Sequence, residues 1–191
     1  MCVSASTDGG GFISDQYWDY LGYGGTVSTR FEAGSQSGGG TCADSLKDNL
    51  TDLEWAKNGI IGFEATNGGG PIAQPNYANT TANLNDLNWA NATTAISNLN
   101  AATNKLCGYA NWRLPTINEL ASLVNYAVIP PSTPASWLND VTVGFANVQS
   151  FYYWSSTVGT PGNVWAVYFE DGTTSAAFDG MLRYVWPVRN R

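Results

Sequence analysis

Few residue types in this chain could do chemistry. Three cysteines, Cys2, Cys42 and Cys107, and the C-terminal carboxylates Glu170, Asp171 and Asp179 are the candidate nucleophiles, ligands and acids. There is no histidine. That removes every Ser/His and Cys/His nucleophile pair, the usual zinc ligand sets and the commonest general base. The cysteines are odd in number and lack C-x-x-C spacing, so neither a zinc cage nor a thioredoxin-type motif can be drawn; one disulfide plus a leftover thiol is the expectation. A glycosidase needs two carboxylates about 5 to 10 Å apart with split pKa values. Asp171 and Asp179 each precede a glycine, Gly172 and Gly180, and are better explained as turn residues. The glycines of Gly34 to Gly40 could cradle a phosphate, but no GK[ST] follows them. No D-x-[DN]-x-[DN]-G calcium loop is present, and the triplets at Asn79 and Asn91 are weak glycosylation signals in an Asn-rich chain. The expectation is a protein that is not an enzyme and carries no cofactor or metal.

Composition points the same way. The 191 residues make one domain, or a domain with an arm. Charged residues are 12%, against a usual share of about a quarter, while Gly 21, Trp 8 and Tyr 10 are high. Such a surface is built from neutral polar groups and rings, as in a loop-rich extracellular binder. With a net charge of -7 and 8 Lys and Arg, phosphate tracking is excluded, so no nucleic-acid partner is expected. No run of 18 apolar residues exists, and Met1-Cys2 is not preceded by an apolar stretch. The chain reads as soluble without membrane insertion, exported through a removed signal or by assembly into a larger particle.

The elements that must position these side chains can be read in part. Residues 1–29 are Gly-rich with scattered rings and read as an arm packed on the domain. GSQSGGG, Gly34 to Gly40, is too flexible for any element. Between Asp48 and Lys57, Leu50, Leu53 and Trp55 are to be buried, and Asn58-Gly59 before Ile60 and Ile61 reads as the turn of a strand pair. Gly68 to Asn85 is a surface loop. A helix is predicted from about Asn88 to Leu106, with Trp89, Ala92, Ile96, Leu99, Thr103 and Leu106 as its stripe. A second begins at the T-x-x-E capping box of Thr116 and Glu119, and Ile117, Leu120, Ala121 and Val124 follow on one face. From Phe151 the period becomes two: Trp165, Val167 and Phe169 face inward, Ala166, Tyr168 and Glu170 outward. Asp171-Gly172 turns into a strand over Thr173 to Phe178, Asp179-Gly180 makes a second turn, and Tyr184 to Val188 reads as the last strand. The expected fold class is α+β, two helices packed on a small twisted antiparallel sheet, loop-rich.

Several segments taken in order carry a resemblance. DNLTDLEWAK, NWRLPTINELASLVNY from Asn111 to Tyr126, YYWSST from Tyr152 to Thr157, VWAVYFEDG and YVWPVR resemble the Lcl C-terminal domain family over about residues 30–191. The resemblance implies a variant of the C-type lectin fold similar to the formylglycine-generating enzymes. A formylglycine-type oxidase needs reactive cysteines in the C-terminal half, and none follows Cys107. The resemblance also implies a Cys42 to Cys107 bridge, from GTC before DNLT and CGY before NWRLP, with Cys2 free. Asp52 and Glu54 depart from the family's usual Gly and Met, which leaves the local strand register open. Trp112, Trp154, Trp165 and Trp186 are expected in the core, and Arg113 is expected to answer carbonyls or a carboxylate such as Glu119.

The same fold with a C-terminal YWSST to PVR segment is used by the variable proteins of diversity-generating retroelements. That resemblance implies a diversified ligand-binding face over about residues 150–191. Such systems mutate template adenines, chiefly in AAC codons, and cannot produce Trp, Met, Lys, Gln or Glu. The variable positions implied are Tyr152, Val158, Thr160, Asn163, Ala166, Tyr168, Thr173, Ser175, Phe178, Gly180, Leu182 and Arg183, while Trp165, Glu170, Met181 and Trp186 lie outside the permitted set. Tyr152, Tyr168 and Phe178 would be the large contacts, with Arg183 the one positive charge on that face. The expected partner is a variable protein or glycan ligand on a host or neighbouring cell, and the expected location is extracellular, on a virion or cell surface. A constant carbohydrate-binding adhesin is the alternative; an acidic glycosaminoglycan would be repelled at -7 unless Arg183, Arg189 and Arg191 were gathered together.

Overall fold

A computed structural model describes residues 30–59, 87–103, 105–127 and 131–191. The expected arm, the Gly68 to Asn85 loop, Cys2, Ile60, Ile61 and Asn79 lie outside the described residues. Among the described residues, seven strands fall in two antiparallel sheets. The first has the order β1-β2-β3-β7, with β1 Phe31–Ser35, β2 Thr41–Asp48, β3 Leu53–Ala56 and β7 Val188–Asn190; the second runs β4-β5-β6, with β4 Tyr152–Val158, β5 Asn163–Tyr168 and β6 Thr174–Phe178. Between them come three short helices, α1 Trp89–Ala101, α2 Ile117–Ser122 and α3 Pro134–Leu138, and a 3-10 turn at Leu106–Gly108. The class is α+β, compatible with a small lectin-like domain, but with two sheets instead of the one expected.

The extra sheet comes from segments whose glycines conceal a strand. Gly34 and Ser35 belong to β1, paired with Cys42 and Thr41, and a tight turn over 36–40 uses positive φ at Gly38, Gly39 and Gly40. At Gly34 a side chain would collide with the Ser45 hydroxyl, so the residue is required by close packing and not by flexibility. The strand pair near Asp48 also differs. Its turn falls at 49–52, where Asp52 takes φ 56, and the register pairs Asp48 with Leu53 and Lys47 with Glu54. The left-handed backbone explains why glycine suits that position. Asn58 instead bridges in parallel to Ala146, and Leu50 is exposed. The final strand begins at Val188, four residues later than expected, because Pro187 and the buried Trp186 direct the chain through the core before β7 pairs with β3.

Local signals hold the helices. Asn88 caps α1 by accepting from the Asn91 amide, and Ala92, Ala95, Ile96 and Leu99 are its buried stripe. The helix ends at Ala101, so Leu106 reaches the core from the 3-10 turn. The Thr116/Glu119 box is present at α2. At α3 a second box, Thr133 and Ser136 with Pro134 in the first turn, starts a helix that short-range periodicity could not reveal.

One aromatic core joins the sheets. Trp55, Trp112, Trp154, Trp186, Tyr153 and Phe169 are fully buried, and Trp186 lies 5.7 Å from Trp55, 5.1 Å from Phe145 and 5.5 Å from Tyr153 between centroids. The indoles of Trp112, Trp154 and Trp186 donate to the carbonyls of Leu106, Leu87 and Ala56. These three rings enter the core with their indole N–H groups met, at about 1.5–3 kcal/mol gained per buried side chain, whereas the buried Trp55 Nε1 has no acceptor among the described residues. The Cys42–Cys107 disulfide ties β2 to the 3-10 turn across 65 residues. On the loop-entropy model that is worth about 4 kcal/mol.

Two buried ion pairs complete the first sheet. Arg30 makes a two-pronged contact with Asp48, at 3.0 and 2.9 Å. Glu54 pairs with Arg189 and accepts from the hydroxyls of Ser35 and Ser45. Burial pushes the Glu54 pKa up, but the serine hydrogen bonds and Arg189 outweigh it and hold it below the usual carboxylate range. A glutamate replaces the apolar residue here because β7 brings a guanidinium to the same place.

Candidate functional site

The second sheet carries the C-terminal segment, and its position is fixed from both sides. Directly opposed residues of antiparallel strands share a face. On one face lie Tyr152 and Tyr168, Trp154 with Ala166 and Ser175, and Val158 with Val164; on the other lie Tyr153 with Val167 and Thr174, Trp165 with Ala176, and Asn163 with Phe178. Tyr153 packs on Phe169 and Trp186. Ser156 and Thr157 join β4 to the approach to α2, through Ser156 N to the Pro115 carbonyl and Ile117 N to the Thr157 hydroxyl. The first face is covered at its centre by Arg183 and by the segment entering α1, where Leu87 and Arg183 exchange backbone hydrogen bonds.

This two-sided packing corrects three placements. Ala166 is 0% exposed, so it is a core position and not an outward contact. Trp165, expected inside, is half-buried, with its indole nitrogen facing Gly159. Arg183 is 6% exposed, and its guanidinium lies 4.0 Å over the Tyr152 ring and 5.0 Å over Trp154. A period-two pattern separates faces correctly, but it assigns one to solvent only when nothing covers that face.

The remaining candidate residues divide into two groups at opposite ends of the sheet. One is a ring ledge. Tyr152 and Tyr168 stack at 4.3 Å and 21°, with Phe151 5.8 Å from Tyr152 and 5.7 Å from Tyr184. Thr173 is exposed beside it, in the turn made by Gly172 at φ 82 and by Asp171 accepting from the Thr173 amide. Burial and the neighbouring Glu170 raise the Tyr168 phenol pKa, so it stays a neutral donor and acceptor. The second group is a loop rim. Val158, Phe178, Met181 and Leu182 are 53 to 62% exposed, Thr160 and Gly180 are exposed, and Asn163 is half-buried. The Asp179 amide donates to the Gly162 carbonyl and the Met181 amide to the Phe178 carbonyl, so both turns hold the rim together. Asn163 and Tyr168 stand at the two ends of β5, so about 17 Å at strand rise separates the groups. Ser175 is half-buried between them.

Sequence reasoning missed Phe151 and Met181, both exposed apolar residues on these ends. Phe151 directly precedes the named Tyr152, and a ring beside a ring at a strand start was the available signal. Arg113 binds Glu119 through two 2.8 Å contacts, as expected, and with Thr116 lowers the Glu119 pKa. It supports the scaffold by joining the α2 capping box to Asn190.

Among the described residues, no three Asp, Glu or Cys side chains converge into a metal-sized cluster. No helix among them is long and apolar enough to cross a membrane. Residues 44–189 match the family model described as the Lcl C-terminal domain. No curated protein matches the chain. The family match suggests a ligand-binding, adhesin-like role.

Proposed function

The chain belongs to the Lcl C-terminal domain family, and we propose that it is a non-enzymatic binding protein whose C-terminal surface recognises a protein or glycan ligand. We propose further that this surface, within about residues 150–191, is diversified by a retroelement, and that the protein works outside the cell, on a virion or cell surface. The observation that carries the reading is the contrast within one segment. Tyr153, Trp154, Val167, Phe169 and Trp186 are buried to 0%, while Val158, Phe178, Met181 and Leu182, on the same strands and turns, are more than half exposed. Large apolar groups left exposed together mark interaction surfaces. Replacing exposed side chains usually shifts stability by less than about 0.5 kcal/mol, so such a rim tolerates change while the core does not. The disulfide supports an oxidising compartment.

A constant carbohydrate-binding adhesin is the second reading, favoured by the stacked Tyr152 and Tyr168 rings, a flat ledge of the kind on which sugar rings pack. Screening the protein on glycan arrays and against displayed cell-surface proteins tests both. Tyr168→Ser or the pair Phe178→Ser and Leu182→Ser is expected to abolish the hits with the thermal midpoint kept. Hits unaffected by either set would overturn the assignment of binding to this surface.

A further inference from the structure

Among the described residues, Arg183 is a buried cation without a counter-charge. Its Nε and Nη1 are both inaccessible to water and have no acceptor among the described residues. Only rings lie beneath it, Tyr152 at 4.0 Å and Trp154 at 5.0 Å. The chain's other buried arginines, Arg30 and Arg189, each have a carboxylate. Unmet buried donors are costly, and more so on a charged group. Desolvation accordingly lowers the Arg183 pKa, with the Tyr152 hydroxyl the one opposing influence.

We infer that Arg183 is the carboxylate-recognition residue of the ledge, taking one Asp or Glu side chain of a protein partner in a two-pronged contact. The inference rests on the binding role proposed for this surface and names its ligand chemistry. The guanidinium fork matches a carboxylate with two parallel donors. Turning outward on its flexible stem breaks no hydrogen bond of Nε or Nη1, since neither has an acceptor among the described residues, and gives up contact with the Tyr152 and Trp154 rings and part of the cover over the centre of the sheet. The exchange gains two charge-assisted bonds, so a buried start does not forbid recognition. Phe151, Tyr152 and Tyr168 beside it complete the ring-plus-arginine make-up of interface hot spots. A single carboxylate in an otherwise apolar surface fits better than an acidic polysaccharide. The net charge is -7, and Glu170 and Asp171 act on the Tyr168 hydroxyl at the edge of the same ledge.

The test is an NMR titration of the 15N-labelled full chain, following the Arg183 Nε–H signal, assigned by its loss in Arg183→Lys. The probes are N-acetyl-glutamate methylamide, its glutamine counterpart and glucuronate. A saturable shift with the glutamate probe and none with glutamine is expected, and affinity for that probe in Arg183→Lys should fall about tenfold, the worth of one charge-assisted hydrogen bond. No shift, or equal shifts with glutamate and glutamine, overturns the inference without use of any variant. A shift with glucuronate alone overturns the protein source in favour of an acidic sugar. If the signal stays still while Tyr168→Ser abolishes a screened hit, the binding surface stands and only its carboxylate chemistry falls.

Discussion

At the scale of the residue, what a position tolerates depends on which of its neighbours is fixed. Ala166 lies opposite Trp154 and Ser175 at 0% exposure, with no room for a larger group. Ala166→Leu is expected to cost about 1–3 kcal/mol by overpacking, while Phe178→Ser changes stability by less than about 0.5 kcal/mol; urea unfolding of the two variants checks the contrast. Glu54→Gln leaves Arg189 buried opposite a neutral amide and should cost about 3–5 kcal/mol. Glu54 and Glu119 both have depressed pKa values. The unfolded chain therefore binds protons first as pH falls, and stability is full above about 4.3, the unfolded glutamate value. Below that it declines until pH passes the lower folded values, which unfolding midpoints measured from pH 6 to 2 would reveal. Identity alone told Arg113 from its role, because a guanidinium six residues before a capping glutamate has an obvious partner. It could not show that Arg183 lacks one, since the missing acceptor is a property of everything folded around it.

At the scale of the element, local chemistry was legible and long-range pairing was not. The capping box at Thr116, the Asp171-Gly172 turn and the Asp179-Gly180 turn all appear where the residues demanded them, each needing only neighbours within four positions. The β1 strand was concealed because Gly34 reads as flexible until Ser45 is known to press against it. The outward face of β5 was misread for a similar reason: the segment covering Ala166 comes from some eighty residues earlier, at Leu87. The disulfide pairing followed from family resemblance and is present in the structure. Its two ends join β2 and the 3-10 turn, where Cys107 takes φ 52 and its carbonyl accepts from the Ser37 amide. Replacing Cys42 and Cys107 by alanine is expected to cost about 2–5 kcal/mol, measured as a lowered denaturation midpoint that reductant no longer affects.

At the scale of the molecule, two sheets share one ring-filled core. The buried ion pairs lie in the first sheet, and Phe151, Val158, Phe178, Met181 and Leu182 are exposed at the ends of the second. A scaffold of this kind separates what must stay from what can change. The most direct test is deep sequencing of the 3′ end of the gene in a population grown from one source, with the flanking DNA read for a near-repeat and a reverse transcriptase. The account predicts substitutions clustered at the codons of exposed or half-exposed positions such as Thr160, Tyr168, Ser175 and Leu182, sparing Tyr153, Val167 and Trp186. An invariant segment without a nearby repeat would contradict it and leave a fixed adhesin.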